Sequence, residues 1–223
     1  MNNIHLPSAH VQAQISSVEN QQRPLLIVDV DEVLFQFIPH LERYAAQKGI
    51  AFKDHSYSLR GNLHRTDTGA PLKQEEAWRL LNTFFDEQSH QQAAVEHAPQ
   101  QLERLSDHFQ IVILTNLPGP HNAPVRKARL EHFGMPYPMI VNEGPKGGAV
   151  AALSAGRGKD PVVFVDDSHS NLISASKAAP HVKLVQFIAD KRFHEAAPLV
   201  EAAALKSNCW LETGDFILSL LDE

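Results

Sequence analysis

The sequence predicts an α/β protein built on a doubly wound parallel sheet. Three apolar runs carry that prediction: Leu25-Leu26-Ile27-Val28, Ile111-Val112-Ile113-Leu114 and Val162-Val163-Phe164-Val165. Continuous short runs of this kind mark strands buried on both faces. Segments of helical period lie between them, which is how a sheet covered on both sides reads. Each run also ends in polar residues, namely Asp29 and Asp31, Thr115-Asn116, and Asp166-Asp167-Ser168. Ligands of open α/β sheets bind outside the carboxyl ends of the strands.

The elements follow in order. Residues 1 to 22 are polar and glutamine-rich and read as a tail; they lack the apolar centre of a signal peptide. After the first strand, a helix is expected around His40 to Lys48, stopped by Gly49. Residues 51 to 65 carry Phe52, Tyr57, Leu59 and Leu63 around Gly61-Asn62, an irregular hairpin or loop. Glu75 to Gln88 reads as a helix with Trp78, Leu81 and Phe85 on one core-facing stripe. Pro99 to Phe109 is an amphipathic helix leading into the second run, and Asn122 to Phe133 is a helix closed by Gly134. Met139 to Val141 is a short strand, Gly148 to Ser154 a helix, and Gly156-Arg157-Gly158 a connector. A small helix over 171 to 179 precedes Val182 to Ile188, expected as the last parallel strand, and an apolar helix around Asp215 to Leu221 ends the chain. About 80 residues separate the first two runs, against the dozen or so that a crossover needs. Residues 38 to 96 are therefore an insertion between two parts of one core, 23 to 37 and 97 to 223.

Composition sets the outer limits. A chain of 223 residues suits one α/β domain with an insertion, and 43% hydrophobic residues suffice for a sizeable core. A net charge of −6 and a pI of about 6.1 give no basic field for a nucleic acid polymer. The single cysteine, Cys209, fits a reducing compartment, and no apolar run reaches membrane-spanning length. The thirteen histidines show no zinc-type spacing. The expectation is a cytoplasmic protein without membrane partners; a homodimer is compatible with it.

Two acids at one strand end are costly unless a cation or a proton is shared between them. Where the chain turns, Asp29 and Asp31 can converge, one as nucleophile and the other as acid/base, with a metal keeping the first ionised. Taken alone, the segment reads equally well as a strand ending in a solvated acidic turn. The wider set decides between the two. Gly144-Pro145-Lys146-Gly147-Gly148 adds a lysine at a helix start, with glycines that suggest close backbone approach to a ligand. An Asp-x-Asp, a strand-end Thr, a Lys and an acidic pair, in that order from Asp29 to Asn171, resemble the four motifs of the haloacid dehalogenase-like (HAD) hydrolases.

That resemblance implies a Rossmann-like HAD core with a small, mostly helical cap in the insertion, closing over the site and choosing the substrate. It implies a phosphatase using Mg²⁺ on a small-molecule phosphate ester, with a nucleotide and a sugar phosphate both open. Asp29 would be the nucleophile. Asp31 would be the acid/base, with its backbone carbonyl on the metal. Thr115 and the Asn116 N–H would hold the phosphoryl oxygens, and Lys146 would neutralise nucleophile and phosphate. Asp167 would be the direct metal ligand and Asp166 a water-mediated one, with Ser168 and Asn171 holding the loop or Lys146. Blander roles compete: Thr115 can simply cap its strand, Asp166 or Asp167 the next helix, and Lys146 can be a solvated loop residue. Glu32 stands where the family often has Gly, which puts a third carboxylate near the site or, on the bland alternative, pointing into solvent. In the insertion, Arg60 and Arg65 flank Gly61-Asn62-Leu63-His64 and suit an anionic or hydroxyl-rich substrate body, or else a solvated loop. A phosphomutase, or a phosphate-binding protein without catalysis, is the alternative. Halide removal is disfavoured, because Asp31 supplies an acid that a halide does not need.

Overall fold

The computed structural model describes residues 6–56 and 61–222. In chain order the first elements are α1 (Ala9–Ser17), β1 (Leu25–Val28), α2 (Ile38–Ala46), β2 (Ile50–Phe52), β3 (Leu63–Arg65) and α3 (Gln74–Gln88). Then come α4 (Ala98–Ser106), β4 (Gln110–Asn116), α5 (Asn122–His132), β5 (Met139–Asn142), α6 (Gly147–Ser154) and β6 (Val162–Asp166). The last are α7 (His169–Ala178), β7 (Lys183–Phe187), α8 (Lys191–Ala196), β8 (Ala203–Ser207) and α9 (Trp210–Ser219). Strand order is β5-β4-β1-β6-β7-β8, and every neighbouring pair is parallel.

The continuous apolar runs are explained by the two cores they separate. Successive side chains of a strand point to opposite faces. Leu26, Val28, Ile111, Ile113, Val163 and Val165 therefore pack with Leu102 of α4, Leu130 of α5 and Trp210 of α9. Leu25, Ile27, Val112, Leu114, Val162 and Phe164 face the other way, onto Val11 of α1, Val150 of α6 and Leu172 of α7. All four residues of β1 are fully buried. Truncating Phe164, central on the second face, should cost about 3–5 kcal/mol.

Several expectations need correction. Of the segment 1 to 22, the described residues, from 6 on, are not a tail. Within it α1 docks on the sheet through Val11, while Gln14 donates to the Val141 carbonyl at 3.1 Å and accepts from the Val141 N–H at 2.9 Å. Val11, Ile15 and Val18, at helical spacing, carried that signal. β7 is not the last strand, since α8 and the edge strand β8 follow it; the alanines of β8 gave no strand signal. Trp78 is 58% exposed rather than core-facing. The stripe of α3 that packs runs through Ala77, Leu81 and Phe84, one position round the helix.

Elements α2, β2, β3 and α3 lie between β1 and β4 and share an apolar cluster of their own, with Leu41, Tyr44, Leu63, Leu81 and Phe84. β2 and β3 form an antiparallel pair, and Asn62 braces it by accepting from the Lys53 and Asp54 N–H groups. The segment leaves and returns side by side: the Gln36 N–H donates to Ala93 and the Val95 N–H to Leu34. Among the described residues no helix is long and apolar enough to cross a membrane.

Candidate active site

The carboxyl ends of β1, β4 and β6 converge. Asp29 follows β1, and its N–H donates to the Val165 carbonyl of β6 at 3.0 Å. One carboxylate oxygen each of Asp29, Asp166 and Asp167 lies within 4.8 Å of the others. Into this cluster comes Lys146, 1% exposed, with Nζ 2.7 Å from Asp29 Oδ1 and 2.7 Å from Asp166 Oδ2. Lys146 is the residue preceding α6. The glycine after it is set by packing, not by a ligand: a side chain at Gly147 would run into Ser174 of α7, whose hydroxyl accepts the Gly147 N–H. Gly147 thus lets α6 press against α7 beside the lysine.

Electrostatics follow from burial. Burial pushes the Asp29 carboxyl up and Lys146 pulls it back, leaving it above the ordinary range. Burial alone would lower Lys146, but Asp166 and Asp29 outweigh it and hold the ammonium. Asp167 is raised well above the usual carboxylate range, first by burial and then by repulsion from Asp29, Glu32 and Asp31. Three carboxylates thus face one ammonium, and a divalent cation would balance them.

The two neighbouring acids divide their work. Asp166 accepts from the Ser168 N–H at 2.8 Å and from Asn171 Nδ2 at 3.2 Å, besides holding Lys146. Asn171 therefore holds Lys146 only through Asp166. Ser168 caps α7, its hydroxyl accepting the Asn171 N–H. Asp166 is fully buried, while Asp167 is partly open. At the end of β4 the Thr115 hydroxyl is buried with no partner among the described residues. The Asn116 side chain is committed to the β5–α6 loop, donating to the Gly144 carbonyl at 3.0 Å and accepting from Asn142 at 2.9 Å.

Of the two readings of Glu32, the solvent-facing one fails. It is fully buried, with a left-handed φ of 63°. Glycine would adopt that φ more easily. Glutamate holds it because its carboxylate accepts three backbone N–H groups: Ile38 at 2.8 Å, Phe37 at 3.0 Å and Asp190 at 2.6 Å. It thereby caps α2, whose own N-cap has no side-chain bond, and ties it to the loop after β7. Burial lifts its carboxyl to about 7, against the pull of these donors.

Arg126 and Gln92 were not expected at the site. Arg126 Nη2 lies 3.0 Å from both oxygens of Asp31, and Gln92 Nε2 donates to Oδ1 at 2.9 Å. Burial raises the Asp31 carboxyl and Arg126 opposes the rise. A signal for Arg126 existed: with Asn122 and Leu130 it falls at i, i+4 spacing on the buried face of α5. Arg65 is not brought to the cluster; it pairs with Glu76 of α3 at 2.6 Å, inside the inserted segment. Arg60 lies outside the described residues.

No family model and no curated protein matches the chain. Solved structures do match, over most of its length. A conserved haloacid dehalogenase-like protein of unknown function from Agrobacterium tumefaciens aligns with a TM-score of 0.59 at 16% identity, covering 89% of this chain and 99% of the other. A HAD family hydrolase from Deinococcus radiodurans, with bound phosphate and sodium, aligns at 0.58 and 14% identity, covering 90% and 97%. A predicted phosphoglycolate phosphatase from Haemophilus somnus aligns at 0.56 and 14%, covering 89% and 100%. Identities this low establish a shared fold.

Proposed function

We propose that this chain, which has the haloacid dehalogenase-like fold, is a Mg²⁺-dependent phosphomonoester hydrolase acting on a small phosphorylated metabolite. One observation carries the reading: Lys146 bridges Asp29 and Asp166 at 2.7 Å each, with Asp167 beside them. Packing alone gives no reason to gather three acids beside one buried lysine, whereas a phosphoryl group and a divalent ion give one.

Asp29, Asp166, Asp167 and the Asp31 carbonyl would hold Mg²⁺, which would neutralise these carboxylates and the phosphoryl oxygens. The Asp29 carboxylate forms a bond to phosphorus as the bond from phosphorus to the ester oxygen breaks, and Asp31 gives that oxygen a proton. Asp31 then takes a proton from water as the water oxygen attacks the aspartyl-phosphate. That step frees Asp29 and inorganic phosphate. The Thr115 hydroxyl, unpartnered and buried, is suited to donate to a phosphoryl oxygen. Lys146 favours the ionised form of Asp29 against the effect of burial and offsets charge as it builds on the phosphoryl group. Arg65, already paired with Glu76, has no part in this reading.

The test is a panel of nucleotide and sugar phosphates with Mg²⁺, following released phosphate and any isomerised ester together. Phosphate release that stops with EDTA and returns with Mg²⁺ is the expected result. Full release in metal-free buffer, or an isomerised ester as the main product, would overturn the reading.

A further inference from the structure

Arg126 carries a buried charge that the hydrolysis scheme above does not use. Its side chain is 1% exposed, and its guanidinium lies 5.4 Å from the ring centre of Phe35 and 5.7 Å from that of Phe85. Nη2 straddles the two oxygens of Asp31, whereas Nε and Nη1 are buried without partners among the described residues. Leaving buried donors unpaired is unfavourable, and a guanidinium kept only for packing would be better replaced by an apolar side chain. Here the charge is kept and spent on one contact, the Asp31 carboxylate. A single nitrogen across two oxygens fixes the plane of that carboxylate without the tighter two-nitrogen fork. Gln92, fully buried, grips Oδ1 from the side. The parts come from different places: Phe35 from the loop after β1, Phe85 from α3, Gln92 from the returning end of the insertion. They meet only when the inserted segment sits against the core.

We propose that Arg126, helped by Gln92, is a positioning residue that aims the Asp31 carboxyl for its two proton transfers and makes both depend on the docked insertion. The proposal rests on the hydrolase reading. In the first transfer the proton goes from Asp31 to the departing ester oxygen. In the second it goes from water to Asp31 as the aspartyl-phosphate is cleaved. A p-nitrophenolate leaves without needing a proton, so a misaimed Asp31 should spare the first step on that ester and slow the second. An alkyl phosphate needs both.

The experiment compares wild type, Arg126→Ala and Gln92→Leu by rapid mixing with p-nitrophenyl phosphate and by steady-state turnover of an alkyl phosphate, with Mg²⁺ throughout. For Arg126→Ala, kcat on the alkyl ester should fall about a hundredfold, the scale of one general acid–base group, with KM nearly unchanged. On p-nitrophenyl phosphate the same variant should release a burst of about one p-nitrophenol per enzyme before a slow phase, as a stalled phosphoenzyme requires. Guanidinium chloride at millimolar levels should fill the space between the rings and restore turnover of Arg126→Ala. Gln92→Leu, which keeps the bulk, should show the same split more weakly and covers the case in which the arginine variant does not fold. Equal losses on both esters without a burst, in whichever variants fold, would overturn the positioning role. Wild type lacking phosphate release that depends on Asp29 would instead overturn the hydrolase reading and this proposal with it.

Discussion

The carboxyl edge of the sheet and the seam between core and insertion hold charged residues by different means. At the edge, backbone geometry sets position: β1, β4 and β6 run parallel in fixed register, so residues that follow them must converge. At the seam, side chains distant in sequence find each other. Gln92 reaches Asp31 at 2.9 Å, His121 and Asn122 reach Asp86 at 2.7 and 3.0 Å, and Arg192 reaches Glu42 at 2.6 Å. Asp29, Lys146 and Asp166 at the edge are buried against one another, whereas most of the seam pairs are half in solvent. Substitutions at the edge should therefore strike chemistry, and those at the seam should strike alignment and stability.

The largest effect should come from Asp29→Asn. An amide cannot form the phosphoenzyme at a useful rate, and turnover should fall by about four orders of magnitude or more while the fold persists. Phosphate release by the purified variant measures it, and near-normal hydrolysis would dissolve the distinction between edge and seam. Lys146→Ala should follow, with a loss of about a hundred- to a thousandfold. It should also lower thermal stability, since it leaves Asp29 and Asp166 buried against each other; thermal melts in EDTA read this.

The same contrast explains what could be read from the sequence. Asp29, Thr115, Lys146, Asp166 and Asp167 stand at ends of elements that short-range pattern locates, so their convergence followed once the strands were parallel. Arg126 stands among Lys127 and Arg129 on one helix; its spacing with Asn122 and Leu130 marks the buried face, but nothing local in the sequence points to Asp31 as its partner. Trp78 shows the limit from the other side: its spacing matched Leu81 and Phe85, yet the cluster it was assigned to is entered one residue earlier, at Ala77. Glu32 could not be read at all, because its three N–H partners lie five to 158 positions away and its φ is one that sequence assigns to glycine.

Glu32 gives a smaller effect with a definite sign. Its carboxyl titrates at about 7 in the fold against 4.5 for the ordinary group, so the folded state binds the proton more tightly. The stability it adds through that proton is complete below about 4.5 and is lost as pH rises to about 7, beyond which it is constant. Glu32→Gln removes the titration. The gap in melting temperature between wild type and variant, measured in EDTA, should narrow from pH 4.5 to 7 and then hold steady. A gap that widens over that range would mean the carboxylate is ionised by its donors throughout. The amide also turns an N–H toward backbone N–H groups and should cost about 1–3 kcal/mol overall. The smallest effect belongs to the Asp86 and His121 pair, exposed on both sides, where Asp86→Ala should leave kcat within about twofold of wild type. A much larger loss would show the seam acting as a latch on the chemistry.

Direct capture of the covalent intermediate tests the central claim best. Asp31→Asn, in which water is activated poorly, should be mixed with p-nitrophenyl phosphate and Mg²⁺, quenched in acid and mapped by peptide mass spectrometry. The account predicts a phosphoryl adduct on the Asp29 side chain, absent when Asp29 is also changed to Asn. An adduct on any other residue, or one that survives the loss of Asp29, would contradict it.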